Sequence, residues 1–330
     1  AYFGPPDKVL AWFGTSDYAD VFQWITAEPD RYQKSFAAVH PELTGTSIPP
    51  SVAGSAPPPV QRSHSVGRQA WTLIRRQVRV MASDRSFAIF NLVLPLVLGI
   101  LALAVPGSDG LAFPEKPSTE AMQVLVILVV GCTFMGMSSS VRDLVSERPI
   151  FVRERAVGLS PVAYLGSKLI VFGALTAVQT LALTLVVAIG KNLPDRHVVL
   201  PWGALELYVA LVATAMVGAA LGLLISAIVG TNEQVMPLLV VSVMTQLVLC
   251  AGLIPVAGRA PLEQLSLIAP ARWGFAAAAA GTDVLAMLPL PRQDALWEHH
   301  ADVWVFALLV LFVQALLLIG FTYRRLTRAT

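Results

Sequence analysis

Charge is scarce in this 330-residue chain: Asp, Glu, Lys and Arg supply 13% of it, against 55% hydrophobic residues. A water-soluble globular domain carries roughly 25% charged residues. That imbalance, with a positive mean hydropathy, excludes an ordinary soluble protein and leaves an integral membrane protein. The formal net charge is only +2 and no basic run is interleaved with aromatics, which excludes nucleic acid as a partner. Cysteine is nearly absent. Cys132 and Cys250 both lie inside apolar runs, so they offer no disulfide framework and read as small hydrophobes. A phosphate-binding GxxxxGK[ST] loop is missing: the one Gly-Lys pair, Gly190-Lys191, is followed by Asn192, so no P-loop holds ATP here. HExxH, CxxC and GxSxG are missing as well. His299-His300, beside Glu298 and Asp302, is the one cluster with metal-binding residue types. Neighbours on a helix point about 100° apart, so it reads as a solvated loop end and no metal site is expected.

What the chain does have is long apolar runs. Six are each about the ~20 residues a helix needs to cross a bilayer: Phe87 to Val105, Met122 to Ser140, Leu165 to Ile189, Leu205 to Val229, Val235 to Leu253 and Val303 to Phe321. Pro95 and Pro237 fall inside spans and are expected to kink them. Between the second and third spans, Val141 to Lys168 packs five Lys/Arg and three Asp/Glu. Charge that dense belongs in water, on one membrane face, where it can meet a soluble partner. The segments 60–86, 141–168 and 322–330 hold 14 Lys/Arg, against 6 in 106–121, 190–204 and 254–302. The positive-inside rule therefore makes both termini and the charged segment cytoplasmic.

Before the spans, Gly4-Pro5-Pro6 marks a turn. Asp7 is expected to cap a short helix, Lys8 to Phe13, and a second is expected over Asp17 to Ile25. Two aromatic-rich short helices have too little core to fold alone. They are expected to dock on a domain beyond this stretch, of which residues 1–36 form the tail. The Pro/Ser-rich stretch from Ala37 to Val66, with Pro49 and Pro57 opening proline runs, reads as a linker, and residues 67–330 as the membrane domain. Gly67 to Ser86 combines five arginines with Trp71, Ile74, Val78 and Met81 at helical spacing, a basic amphipathic helix suited to a membrane surface. The opening Ala1 to Gly14 lacks the basic-then-apolar pattern of a signal peptide and is expected to be cut from a longer polypeptide. Arg outnumbers Lys 18 to 5, which points to a GC-rich bacterial source.

Inside the spans, polar groups are limited to the likes of Gln179, Thr184, Thr214, Ser226, Ser242, Thr245, Gln246 and Gln314, with Glu206 and Glu233 at span ends. A proton-coupled carrier needs an intramembrane carboxylate or His relay, so energy is expected from outside the membrane. A mostly apolar path suits a lipid-like cargo. The loop of about fifty residues after span five is long enough to be functional. Its Ile254, Leu262, Leu265, Leu267, Ile268, Trp273 and Phe275, followed by an alanine run to Ala280, are expected to form re-entrant or interfacial helices capping an exit path.

Three motifs in order make the chain resemble the White-type (ABCG-like) ATP-binding cassette exporters. AYFGPPDKVLAWFG with YADVFQWI is similar to the end of that family's nucleotide-binding domain. RERAVGLSPVAYLGSK resembles its coupling-helix stretch, and PARWGF, Pro270 to Phe275, its outer-loop motif. The resemblance extends to mycobacterial members in which forkhead-associated domains precede the ATPase. It implies an all-α membrane domain of six transmembrane helices, with an amphipathic N-terminal interfacial helix, a cytoplasmic coupling helix and re-entrant outer helices. It implies coupling to the nucleotide-binding domain through Glu147, Arg148, Arg153, Glu154 and Arg155. A cargo cavity would lie on the two-fold axis of a homodimer, at Cys132, Phe134, Met135, Thr245, Val248 and Leu249, with an apolar plug at Gly252, Leu253 and Ile254. ATP and Mg2+ would sit on the nucleotide-binding domain of the same chain, and the cargo would be a lipid, glycolipid or other amphipathic molecule leaving the bacterial inner membrane. Unlike some eukaryotic members, the outer loop has no cysteine for a disulfide. The alternative is a membrane anchor or scaffold for regulatory domains, without cargo of its own.

Overall fold

A long apolar run in lipid must satisfy every backbone N–H and C=O internally, and a helix does this within one segment. A computed structural model of the chain describes residues 8–15, 17–40, 65–289 and 294–328, and among them every regular element is helical. Two compact units divide at residue 63. In the first, α1 (Val9–Phe13) ends where Gly14 takes a left-handed φ of 70°. Asp17 then caps α2 (Tyr18–Ala27) by accepting from Ala19 N at 2.8 Å. A third helix, α3 (Pro29–Val39), was not expected. Its proline occupies the first turn, where a missing N–H breaks no helical bond, and its last residues, 37–39, reach into the stretch expected to be linker. Phe13 and Tyr32 pack with ring centroids 5.6 Å apart. Asp7, Pro49 and Pro57 lie outside the described residues.

The second unit runs α4 (Val66–Ser83), α5 (Arg85–Leu103), α6 (Glu120–Ser140), α7 (Asp143–Ala156), α8 (Pro161–Gly190), α9 (Gly203–Ile228), α10 (Val235–Leu249), α11 (Leu262–Ser266), α12 (Pro270–Thr282), α13 (Val284–Met287) and α14 (Ala301–Arg328). Six helices, α5, α6, α8, α9, α14 and α10 taken together with the 3-10 turn Asn232–Gln234 before it, are long and apolar enough to cross a membrane. Their alternation puts α4, α7, the α9–α10 turn and the end of α14 on one face. The loops 104–119 and 191–202 and the described residues of 250–300 lie on the other, called distal below. Pro95 lies within α5. Pro237, expected to kink span five, instead sits in the first turn of α10, where it interrupts nothing. Span five stops at Leu249, four residues early, because Ala251 turns left-handed (φ 70°). Span six runs on to Arg328, carrying basic residues in its last turn.

Span two is the centre of the bundle, and it meets span four along small residues. A Cβ on Gly136 would overlap the Ala215 carbonyl oxygen and stand 2.7 Å from Ala219 N. One on Gly218 would stand 2.6 Å from the Thr133 carbonyl oxygen, and one on Gly222 would be 2.7 Å from that of Met137. Ser140 Oγ donates across the crossing to Ala219 O at 2.9 Å. Gly218 and Gly222 form a GxxxG pair, the spacing that lets helix backbones touch in lipid. Gly136→Val is expected to destabilise the domain by about 3 kcal/mol through overpacking. Gly166→Ala, at a site with nothing within 4 Å, leaves stability unchanged or higher. Thermal unfolding in detergent compares the two, and equal midpoints would refute the close-contact account.

On the distal side, α12 is buried along all thirteen of its residues and is held between α9 and α14. Alanine permits this, since Ala276 to Ala280 bring no bulk to either neighbour. Gly274 packs on Thr214, eleven residues inside span four and so about 16 Å below its distal end at 1.5 Å per residue. The first turn of α12 is therefore deep. Gln246 of span five accepts from Ala271 N at 2.9 Å, and Gln314 of span six donates to the Leu267 and Ile268 carbonyls at 3.3 Å. Of the two forms expected for this loop, re-entrant or interfacial, the depth of α12 matches the re-entrant one. Two buried ion pairs and a buried glutamate stabilise the distal loops. Lys191 pairs with Glu120 and donates to the Val105 and Gly107 carbonyls at 2.9 and 2.6 Å. Glu206 accepts from Val198 N at 3.0 Å and Leu200 N at 2.7 Å. Arg272 pairs with Asp294 at 2.8 Å. His299 Nδ1 lies 2.7 Å from the Ala280 carbonyl oxygen.

Candidate functional site

The charged segment between spans two and three folds as α7, and its helical period sorts it into two faces. Leu144, Arg148, Phe151 and Arg155, spaced four, three and four residues apart, share one side of a 3.6-residue turn. Leu144 and Phe151 are buried, Phe151 stacking 4.6 Å from the Tyr164 ring. This inward face attaches α7 to four other helices. Its centre is Lys168 of α8, 2% exposed, whose Nζ lies 2.8 Å from Asp143 Oδ2 and 2.7 Å from Glu147 Oε2. Lys168 also donates to Gln77 Oε1 at 2.6 Å, while Gln77 Nε2 donates to Asp143 Oδ1 at 2.8 Å. The Tyr164 hydroxyl donates to Glu147 at 3.0 Å. Arg76 of α4 bridges Glu154 at 2.7 Å and Glu147 at 3.4 Å. Burying a lysine and two carboxylates is expensive unless each is paired and hydrogen-bonded, and here each is.

Two arginines reach past this network to the ends of membrane spans. Arg148 donates to Ala227 O at 3.0 Å, and Arg155 to Leu326 O at 3.1 Å. Both acceptors lie in the last turn of a helix, α9 and α14, where carbonyls lack intrahelical partners and the helix dipole is negative. Val145 N donates to Ser226 Oγ at 3.0 Å beside the first clamp. Gln69 of α4 holds the exit of α7, donating to Gly158 O at 3.3 Å and accepting from Ser160 N at 3.0 Å.

The opposite face of α7 is uncovered within this unit: Ser146, Pro149, Ile150, Val152, Arg153 and, just past the helix, Val157 at 85% exposure. Of the five residues predicted to meet a nucleotide-binding domain, the structure leaves Arg153 on this exposed face. It turns Glu147, Arg148, Glu154 and Arg155 into the network or onto the clamps. Sequence reasoning missed Arg76, Gln77, Tyr164 and Lys168 as their partners. A signal was present in Leu144 and Phe151, which share a helix face with Arg148 and Arg155 and so turn those arginines inward.

The residues predicted to line a cavity divide in the same way. Cys132 and Met135 are fully buried, Cys132 Sγ lying 3.9 Å from Thr180 Oγ1 of span three. Phe134 is half-buried against the cluster of Val235 and Leu239 at the start of span five. Thr245 and Val248 are exposed and Leu249 is half-buried. Span five is the least covered helix near span two, with Val240, Val241 and Met244 also exposed. At the predicted plug, Gly252 is buried. A Cβ there would overlap Val126 Cγ2 and stand 2.6 Å from Phe275 Cε2, so the backbone passes where no side chain fits. Leu253 beside it is 57% exposed and Ile254 half-buried.

Nothing here is a nucleophile–base pair. Among the described residues no three His, Cys, Asp or Glu gather as metal ligands. What the site holds is a charged helix outside the bundle, tied by ion pairs and hydrogen bonds to helices of the bundle. Residues 68–281 match the ABC-2 type transporter family, and the chain belongs to it, as the membrane domain of an ABC transporter. It is 41% identical over 335 residues to the ABC transporter ATP-binding/permease protein Rv1747 of Mycobacterium tuberculosis, an alignment covering 97% of this chain and 38% of that protein. The chain therefore spans little more than a third of its relative's length.

Proposed function

We propose that this chain is the membrane domain of an ATP-driven exporter that works as a homodimer and moves a lipid, glycolipid or other amphipathic molecule out of the cytoplasmic leaflet. The observation that carries the reading is the two-sided α7: apolar Ile150, Val152 and Val157 stand exposed, while the other side is bound to α4, α8, α9 and α14. Exposed apolar surface of this kind marks an interaction site, and the bound side gives a push on it somewhere to go. The relative's name joins ATP-binding and permease parts, which supports a nucleotide-binding domain on the same polypeptide, carrying ATP and Mg2+. Residues 1–36 would be that domain's tail and 37–66 the linker. These 330 residues contain no phosphate loop, so nucleotide chemistry belongs to that domain. The part played by this chain is to receive its closure on Arg153 and the apolar face of α7. The uncovered side of span five, with Thr245 and Val248, would face a second copy across the cargo path, and Leu253 would close it.

In this reading both termini are cytoplasmic and the membrane is the bacterial inner membrane. Full-length protein in liposomes provides the test. Cargo-stimulated ATP hydrolysis is expected from a lipid panel. Glu154→Arg, which sets like charge against Arg76, is expected to lower transport at least about tenfold while nucleotide still binds. Normal transport by that variant would sink the coupling assignment, and no stimulation by any lipid would favour an anchor for regulatory domains.

A further inference from the structure

We propose that the exposed face of α4 is a binding surface for acidic phospholipid headgroups. The helix is fixed at headgroup level by its connection to span one. A single residue, Asp84, ends α4 through its N–H to Val80 O at 3.1 Å and starts α5 by accepting from Phe87 N at 3.0 Å. The inner side of α4 is occupied, Leu73 and Gln77 being buried and Arg76 bridged to α7. Arg68, Trp71, Arg75, Val78 and Arg79 remain on the outer side, with Trp71 56% and Val78 51% exposed.

The chemistry of that side is one-signed. Val66 to Ser83 contains no Asp or Glu, and among the described residues Arg68, Arg75 and Arg79 have no acidic partner. Arg75 lies over the Trp71 ring, 5.2 Å from its centroid. Stacking of this kind holds the guanidinium plane while leaving its N–H donors at the rim. Arginine binds phosphate oxygens in pairs, and Trp and Val prefer the boundary where acyl chains begin. Arginine alternating with Trp71 and Val78 therefore matches a surface that is anionic above and apolar below. An acidic protein would satisfy the arginines and leave the apolar residues without a match.

The test is native mass spectrometry of the full-length protein in detergent, titrated with phosphatidylglycerol and with phosphatidylcholine of identical chains. The wild type is expected to retain phosphatidylglycerol at least about tenfold more strongly, with each arginine contributing about fivefold at low salt. Combined Arg68→Gln, Arg75→Gln and Arg79→Gln should bring the two lipids to parity. Arg79→Gln alone, at an exposed position, should lose about fivefold and serves if the triple variant does not fold. Raising salt from ~0.1 to ~1 M should erase the wild-type preference, since screening then acts within about 3 Å. A wild type without preference overturns the proposal, as it would be if another part of the full-length chain covered this face. A preference undiminished in Arg79→Gln, or one that survives in the triple variant, also overturns it.

Discussion

Replacing Lys168 by methionine is expected to lower the stability of the membrane domain by about 3–5 kcal/mol, the loss seen when one partner of a buried ion pair is removed. Methionine fills most of the volume, so little of the loss would come from packing. The cause is electrostatic. Lys168 is the one cation within reach of both Asp143 and Glu147. Without it Arg76, 3.4 Å from Glu147 and shared with Glu154, would have to neutralise three carboxylates. Two would be left charged where water barely reaches. The prediction has a built-in rescue. Adding Asp143→Asn and Glu147→Gln to Lys168→Met removes the stranded charges and should recover most of the loss, because a buried pair replaced as a whole is often nearly neutral. Thermal unfolding in detergent reads both. A single-variant loss under about 1 kcal/mol, or no recovery in the triple variant, would show that water already enters the site.

The six crossings were legible because they depend on a property that sums along the chain: about twenty apolar residues suffice, whatever their neighbours. Their ends were less so. Span five stops at Leu249 because of the backbone turn at Ala251, and an alanine in that conformation leaves no trace in composition. Pro237 was read as a kink because its position within the helix depends on where the helix starts. The orientation of α7 was hidden for a different reason. Glu147 and Glu154 find their cations in Arg76, 71 and 78 residues away, and Lys168 finds Gln77 across 91. Those partners were counted as membrane-surface and topology charges, so the pairing could not be seen one segment at a time. Four of five residues expected to face a soluble domain are therefore bound within this one. The alanine run of α12 left re-entrant and interfacial placements both open because alanine is ambivalent. At depth, Gln246 satisfies the Ala271 N–H in its first turn and Gln314 the Leu267 and Ile268 carbonyls just before it.

Under the exporter reading, the second large effect belongs to the arginine clamps. Arg148 and Arg155 hold the terminal carbonyls of spans four and six, and those two spans enclose α12, whose Phe275 touches the backbone at Gly252. A push on the exposed face of α7 thus has a rigid route to the distal constriction through two contacts of one helix face. Each hydrogen bond from a charged donor is worth about 1.5–3 kcal/mol, so losing both should remove most of the coupling along that route. Leu253→Cys, at an exposed site, can be labelled by a thiol reagent, and Cys132 and Cys250 are buried and will not compete. In full-length protein, nucleotide is expected to change the labelling rate at position 253. In Arg148→Gln/Arg155→Gln the change should shrink at least about tenfold, with the rate in the absence of nucleotide unaltered. Lysine at both positions keeps the charge and one donor and should restore part of it. If the glutamine pair responds to nucleotide as the parent does, the force travels by another path, and Lys168 with span three is the next place to look.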